Sequence, residues 1–189
     1  MGVFKKILKY GALVLIGLII IFVLIFYYFA SISYDPFKEP VYGVTFSKKF
    51  AQQMNLDWKE VYLAMLDDLK VKYVRIPTYW EDIEPEKDQY DFSDIDWQLE
   101  QAKARNVKVI LVLGRRQPRW PECHDPKWVE LETKDEVREE ILEMITKVIN
   151  RYKYYDIIEM WQVENEPFLD FFGECPKLAK WNYNKRLIE

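Results

Sequence analysis

Val107-Lys108-Val109-Ile110-Leu111-Val112-Leu113 is the run from which the architecture follows. Its residues are Val, Ile and Leu except for Lys108. A strand this apolar has no water-facing side. It belongs in a parallel sheet covered by helices on its faces. Three further apolar runs accompany it, at Val41 to Phe46, Tyr73 to Ile76 and Ile157 to Val163. Between the runs the apolar spacing turns helical. Asp57 with Glu60 has capping-box spacing, and Trp58, Val61, Tyr62, Met65, Leu66 and Leu69 fall on one helical face. Ser93 and Asp96 are expected to cap a second helix, with Ile95, Leu99 and Ala102 inward. Thr133 and Glu136 open a third, whose stripe includes Val137, Ile141, Met144 and Val148. A fourth helix is expected near Leu178.

Strand-helix alternation of this kind predicts an α/β fold. The pattern alone leaves a doubly wound sheet and a barrel open. No Gly-rich turn follows the first strand, so a dinucleotide fingerprint is missing.

The 189 residues carry a formal net charge of −4 and a pI near 5.3. That balance argues against nucleic acid as a partner. Tyr10 to Ala30 is apolar and uncharged, the length of a membrane span. Lys5, Lys6 and Lys9 precede it, and Asp35 and Glu39 follow. The positive-inside rule then predicts a single-pass signal anchor with a cytoplasmic N-terminus and the rest outside. A cleaved signal peptide is the rival, but its apolar region is usually about 7–15 residues. The expected organisation is an anchor over 1–30, a linker over 31–40 with Pro36 and Pro40 as breakers, and an α/β unit over 41–189.

The chemistry-bearing residues follow the strands. The last apolar run ends in Trp161-Gln162-Val163-Glu164-Asn165-Glu166-Pro167. A carboxyl group after a buried strand, beside an amide, suits proton transfer to a leaving oxygen. A solvated loop carboxylate is the plain alternative. Glu164 is expected to be structural, since it cannot flank a bond from the side opposite Glu166. The single histidine, His124, is expected to be a solvated loop residue, and no metal-ligand cluster is apparent.

This last motif resembles the strand-four signature of clan A glycoside hydrolases, which include cellulase-type family 5 and β-galactosidase-type enzymes. Arg75-Ile76-Pro77 resembles that superfamily's strand-two arginine. Trp80-Glu81-Asp82-Ile83-Glu84-Pro85, then Tyr90-Asp91-Phe92-Ser93 and Asp96, resembles the stretch leading into helix two. Gly114 to Pro118 with Trp120 resembles the loop after strand three. The resemblance implies the N-terminal half, strands 1–4, of a TIM (β/α)8 barrel, preceded by one transmembrane helix. It implies a retaining hydrolase of β-linked oligo- or polysaccharides that needs no cofactor. Glu166 would be the acid/base, Asn165 the partner of the sugar 2-hydroxyl and Arg75 the residue orienting the nucleophile. Trp80 and Trp120 would stack on sugar rings, or anchor their loops. The superfamily's nucleophile follows strand seven, and these residues reach strand four. The chain is therefore expected to be a fragment, inactive alone. The alternative is a non-catalytic, membrane-tethered carbohydrate-binding or scaffolding protein on a degenerate half-barrel. Where many clan members have a histidine after strand three, this chain has Arg115 and Arg116. In a parallel barrel the loops holding Cys123 and Cys175 are neighbours, so a disulfide is expected between them, with two separate thiols as the alternative.

Overall fold

The computed structural model describes residues 2–33, 40–167 and 175. The chain divides into two compact units, residues 1–40 and 41–189. In the first, α1 (Gly2–Ser33) is one continuous helix of 32 residues. Its Phe4–Ser31 stretch is long and apolar enough to cross a membrane, and none of it is buried. At 1.5 Å per residue, 28 residues span about 42 Å, more than the roughly 30 Å of a hydrocarbon core. Length and composition of this kind also suit a signal sequence.

In the second unit, β1 (Gly43–Thr45), β2 (Tyr73–Pro77), β3 (Lys108–Leu113) and β4 (Ile158–Val163) form one parallel sheet in the order β1-β2-β3-β4. This sequential order resolves the choice left open by pattern. A doubly wound sheet reverses direction at a switch point, whereas each strand here pairs with its predecessor, as in a barrel. The architecture is an α/β half-barrel. β1 lies close against its neighbour at Gly43, where an added Cβ would meet the Tyr73 Cβ at 2.9 Å.

Helices α3 (Trp58–Asp67), α5 (Ser93–Ala104) and α6 (Lys134–Tyr152) contribute the other side of the core. Val74, Ile76, Val109, Leu111 and Leu113 of the strands are fully buried, together with Tyr62, Leu99, Ile141, Met144 and Val148 of the helices. The alternate strand positions Tyr73, Arg75, Lys108 and Ile110 are half-buried. β4 is more exposed than β3, with Met160 at 54% and Val163 at 39%. Among the described residues it has only β3 beside it.

The helix starts follow from their caps. Asp57 accepts from the backbone N–H groups of Lys59 (2.8 Å) and Glu60 (3.2 Å) and so starts α3. Thr133 and Glu136 form a full capping box at α6. At α5 the expectation fails. The N-cap position is Phe92, which makes no side-chain cap bond, and Asp91 accepts from Ser93 N–H instead. Asp96 is not a cap, because its carboxylate binds Arg151 and Tyr152 of α6. Leu69 is 66% exposed rather than inward, because α3 ends at Asp67 and the chain turns at Lys70, φ 50°. Two short helices, α2 (Lys48–Gln53) and α4 (Trp80–Ile83), and a 3-10 turn at Lys127–Leu131 had no readable period. The helix expected near Leu178 lies outside the described residues.

Leu111→Ala should cost about 2–5 kcal/mol, because a fully enclosed site cannot collapse around the cavity. Thr133→Ala should cost about 1 kcal/mol. Denaturant unfolding of the full chain in detergent checks both, and the expected order is Leu111 above Thr133.

Candidate active site

The C-terminal ends of β3 and β4 are locked together by one carboxylate. Glu164 is 2% exposed. Its Oε1 accepts from the backbone N–H of Arg115 at 2.7 Å, and its Oε2 from that of Arg116 at 2.7 Å. Gly114 makes room for this. It has φ +99°, and a Cβ there would lie 2.1 Å from Glu164 Oε1. The backbone adds Glu164 N–H to Leu113 O (2.8 Å) and Asn165 N–H to Arg116 O (2.8 Å). β4 ends at Val163, and both Glu164 (φ 62°) and Glu166 (φ 52°) adopt the left-handed conformation. Non-glycine residues hold it only when their surroundings impose it, and such positions cluster at functional sites.

The result separates the two glutamates. Glu164 turns inward to backbone donors, while Glu166 is exposed. Asn165 lies between them, half-buried. Its Nδ2 donates to Glu122 Oε1 at 3.4 Å, and its Oδ1 accepts from Gln162 Nε2 at 3.5 Å. Arg75, on β2, donates through Nε to Thr45 Oγ1 (3.0 Å) and through a terminal nitrogen to Gln162 Oε1 (3.2 Å). Burial pushes the Arg75 guanidinium below its ordinary range, and the charge of Glu166 opposes that shift.

The loop after β3 walls this region. Arg116 pairs with Glu122, which is 2% exposed, and Arg115 pairs with Asp125. Gln117 N–H to Glu122 O (2.8 Å) and Glu122 N–H to Arg119 O (2.8 Å) close a tight hairpin. Trp120 lies in this hairpin, 55% exposed. Cys123 is bonded to Cys175, with Cα atoms 5.1 Å apart.

Two sequence expectations need correction. Trp80 offers no face to a sugar. It is fully buried, its indole N–H donates to Glu84 Oε2 at 2.7 Å, and Trp128 meets it edge-on at 5.4 Å. His124 is not solvated. It is 8% exposed, packs on the Tyr79 ring at 4.6 Å, and its Nδ1 lies 3.1 Å from Glu81 Oε1. That contact, with help from Lys49, holds the Glu81 carboxyl down to about 2. Sequence reasoning also missed Glu122. Its signal was an acid between a proline and a cysteine, too common a pattern to single out.

Among the described residues no group of three or more His, Cys, Asp or Glu side chains is placed to hold a metal ion. A groove of about 520 Å³ beside β1 is lined by Phe46, Phe50, Met54, Val61 and Met65, among others. Its lining includes none of Arg75, Asn165 and Glu166.

Glu164→Gln puts an amide NH2 against one of two backbone N–H donors. It should cost about 1–3 kcal/mol, the penalty of a buried donor left unpaired. A lowered denaturation midpoint is the expected result.

The family model for cellulase (glycosyl hydrolase family 5) matches residues 37–189. No curated protein matches the chain. Among solved structures, a GH5_18 from Streptomyces cattleya in complex with GlcNAc aligns with TM-score 0.55 and 16% identity, over 80% of this chain and 41% of that one. A GH5_18 from Bifidobacterium longum subsp. infantis aligns with TM-score 0.54 and 12% identity, over 78% of this chain and 39% of that one. A β-galactosidase from the psychrophilic Marinomonas ef1 has TM-score 0.46 and 22% identity, over 67% of this chain and 22% of that one. At these identities the likeness concerns the fold, and the chain spans well under half the length of each of these solved structures. The family-model match covers most of the sequence, and the chain belongs to the cellulase family, glycosyl hydrolase family 5.

Proposed function

We propose that residues 41–189 supply the first half of a retaining glycosidase barrel that hydrolyses O-glycosidic bonds of β-linked oligo- or polysaccharides. The observation that carries the reading is the link from Arg75 through Gln162 (3.2 Å) to Asn165 (3.5 Å) at the strand ends, with Glu166 exposed beside it. Glu166 protonates the leaving oxygen and then takes a proton from the incoming water. Asn165 donates to the sugar 2-hydroxyl. Arg75 orients the nucleophile, a carboxylate that reaches the site from strands outside these residues. In a retaining enzyme the two carboxyl groups stand about 5–5.5 Å apart. Trp120 offers an exposed ring to the sugar. The reaction uses carboxylates and water and calls for no cofactor. Glu164 and Glu122 are committed to backbone and side-chain partners. Neither serves as the second carboxylate.

Residues 1–30 are proposed as an uncleaved anchor and 31–40 as a linker. Lys5, Lys6 and Lys9 keep the N-terminus cytoplasmic and place the barrel portion outside.

The test joins the chain to βα units five to eight of a family 5 barrel and assays β-glycosides. Glu166→Gln should lose about 10²–10⁴-fold in kcat on substrates with poor leaving groups, and less on activated aryl glycosides. An unchanged rate on the poor leaving groups removes Glu166 from the role. Turnover by the 189-residue chain as a monomer would show that a nucleophile lies within it. The anchor is checked separately. N-terminal sequencing of the membrane-bound product should begin at or near Met1, and a soluble product starting near Tyr34 would contradict the anchor.

A further inference from the structure

The acid/base segment is held from two directions. Glu164 reaches from β4 into the β3 turn. Glu122 reaches back from the β3 hairpin to the Asn165 side chain. The second contact has a chemical consequence. An Asn side chain carries one acceptor oxygen and two N–H donors. In Asn165 the oxygen faces Gln162 Nε2, and one N–H faces Glu122. Among the described residues the other N–H has no acceptor. The amide is thus oriented with its second N–H presented for further binding, while its oxygen is turned toward Gln162.

Glu122 is suited to enforce that choice. It is 2% exposed and is held at φ 74°, a strained backbone for a non-glycine residue. Arg116 fixes its Oε2 through Nε (3.1 Å) and through a terminal nitrogen, leaving Oε1 for Asn165. Arg116 is itself anchored, since its N–H donates to Glu164 and its carbonyl accepts from Asn165 N–H. Cys123, the next residue, ties the hairpin to Cys175. A buried carboxylate in this place also polarises the amide and strengthens its outward N–H as a donor.

We propose that Glu122 is a positioning residue that fixes the Asn165 amide as a hydrogen-bond donor to the substrate's 2-hydroxyl. This rests on the proposed role of Asn165. Glu122 touches no substrate atom and acts through Asn165 alone.

The first test uses the 189-residue chain in detergent micelles, with the Asn165 side-chain amide observed by 1H–15N NMR and assigned by its loss in Asn165→Ala. In Glu122→Gln the more downfield Asn165 N–H should move upfield, with the rest of the amide spectrum retained. An unmoved Asn165 signal overturns the proposal. Should the Gln variant not fold, Glu122→Asp, which keeps the charge and shortens the reach, is read the same way. The second test uses the joined barrel. Glu122→Gln should lower kcat/KM on a 2-hydroxy glycoside by about tenfold or more, the size of one hydrogen bond to a charged group. It should leave the 2-deoxy analogue nearly unchanged, and it should add nothing to Asn165→Ala. Equal losses on both substrates, the mark of a merely structural role, overturn it. If Asn165→Ala itself shows no preference between the two substrates, the reading of Asn165 fails, and the NMR signal still decides whether Glu122 holds the amide.

Discussion

The bond pair from Glu164 to the backbone of Arg115 and Arg116 is the constraint on which the strand-end geometry rests. Without it, two left-handed residues at the end of an edge strand would have no reason to stay where they are. The carboxylate satisfies two N–H groups that the turn after β3 leaves without a strand partner. Gly114 is the complement of that arrangement, because any side chain there would occupy the carboxylate's place. Once Glu164 is turned inward, the chain must bring Asn165 against Arg116 and leave Glu166 facing out. The carboxylate proposed as acid/base is thus aimed by one bound to the backbone of the neighbouring turn.

Much of the fold could be read from the residues. Short apolar runs located all four strands, and the run of β3, nearly all Val, Ile and Leu, marked the sheet as one covered on both faces. Capping chemistry located α3 and α6 for the same reason it stabilises them: an oxygen must meet the first free N–H groups. The failures were of two kinds. Helices of four to six residues, α4 and α2, are too short to show a period. At α5 the candidate caps Ser93 and Asp96 had other partners, and Asp96 serves α6 across the core. Strand order was not legible in the alternation itself, which suits a barrel or a doubly wound sheet; the resemblance implied the barrel order that the sheet has.

For the site, the pattern identified which residues follow strands but not which way they face. Trp80 and Trp120 look alike in sequence, as aromatics in loops after strands. One is enclosed against Trp128 and Glu84, and the other is exposed. His124 looked like a loop residue and lies against Tyr79 and Glu81. Glu122 was invisible because its partners, Arg116 and Asn165, meet only in three dimensions. The paired arginines at 115 and 116 stood out as a departure. Their reason is local: each neutralises an acid of the same loop, Asp125 and Glu122.

The N-terminal helix and the half-barrel pose different physical problems. The helix satisfies its own backbone, and its apolar surface suits a lipid environment. The half-barrel leaves the edge of β4 and the half-buried positions Arg75, Lys108 and Ile110 without cover from further strands among the described residues. An open β4 edge and half-buried strand positions of this kind are what a further parallel strand would cover. The most direct measurement is a structure of the joined barrel with a thio-linked oligosaccharide that cannot be cleaved. A Glu166 oxygen within about 2.6–3.2 Å of the bridging sulfur position would place it as the proton donor. A sugar chain lying across the strand ends with Glu166 out of reach, and another carboxyl group at that distance, would contradict the assignment.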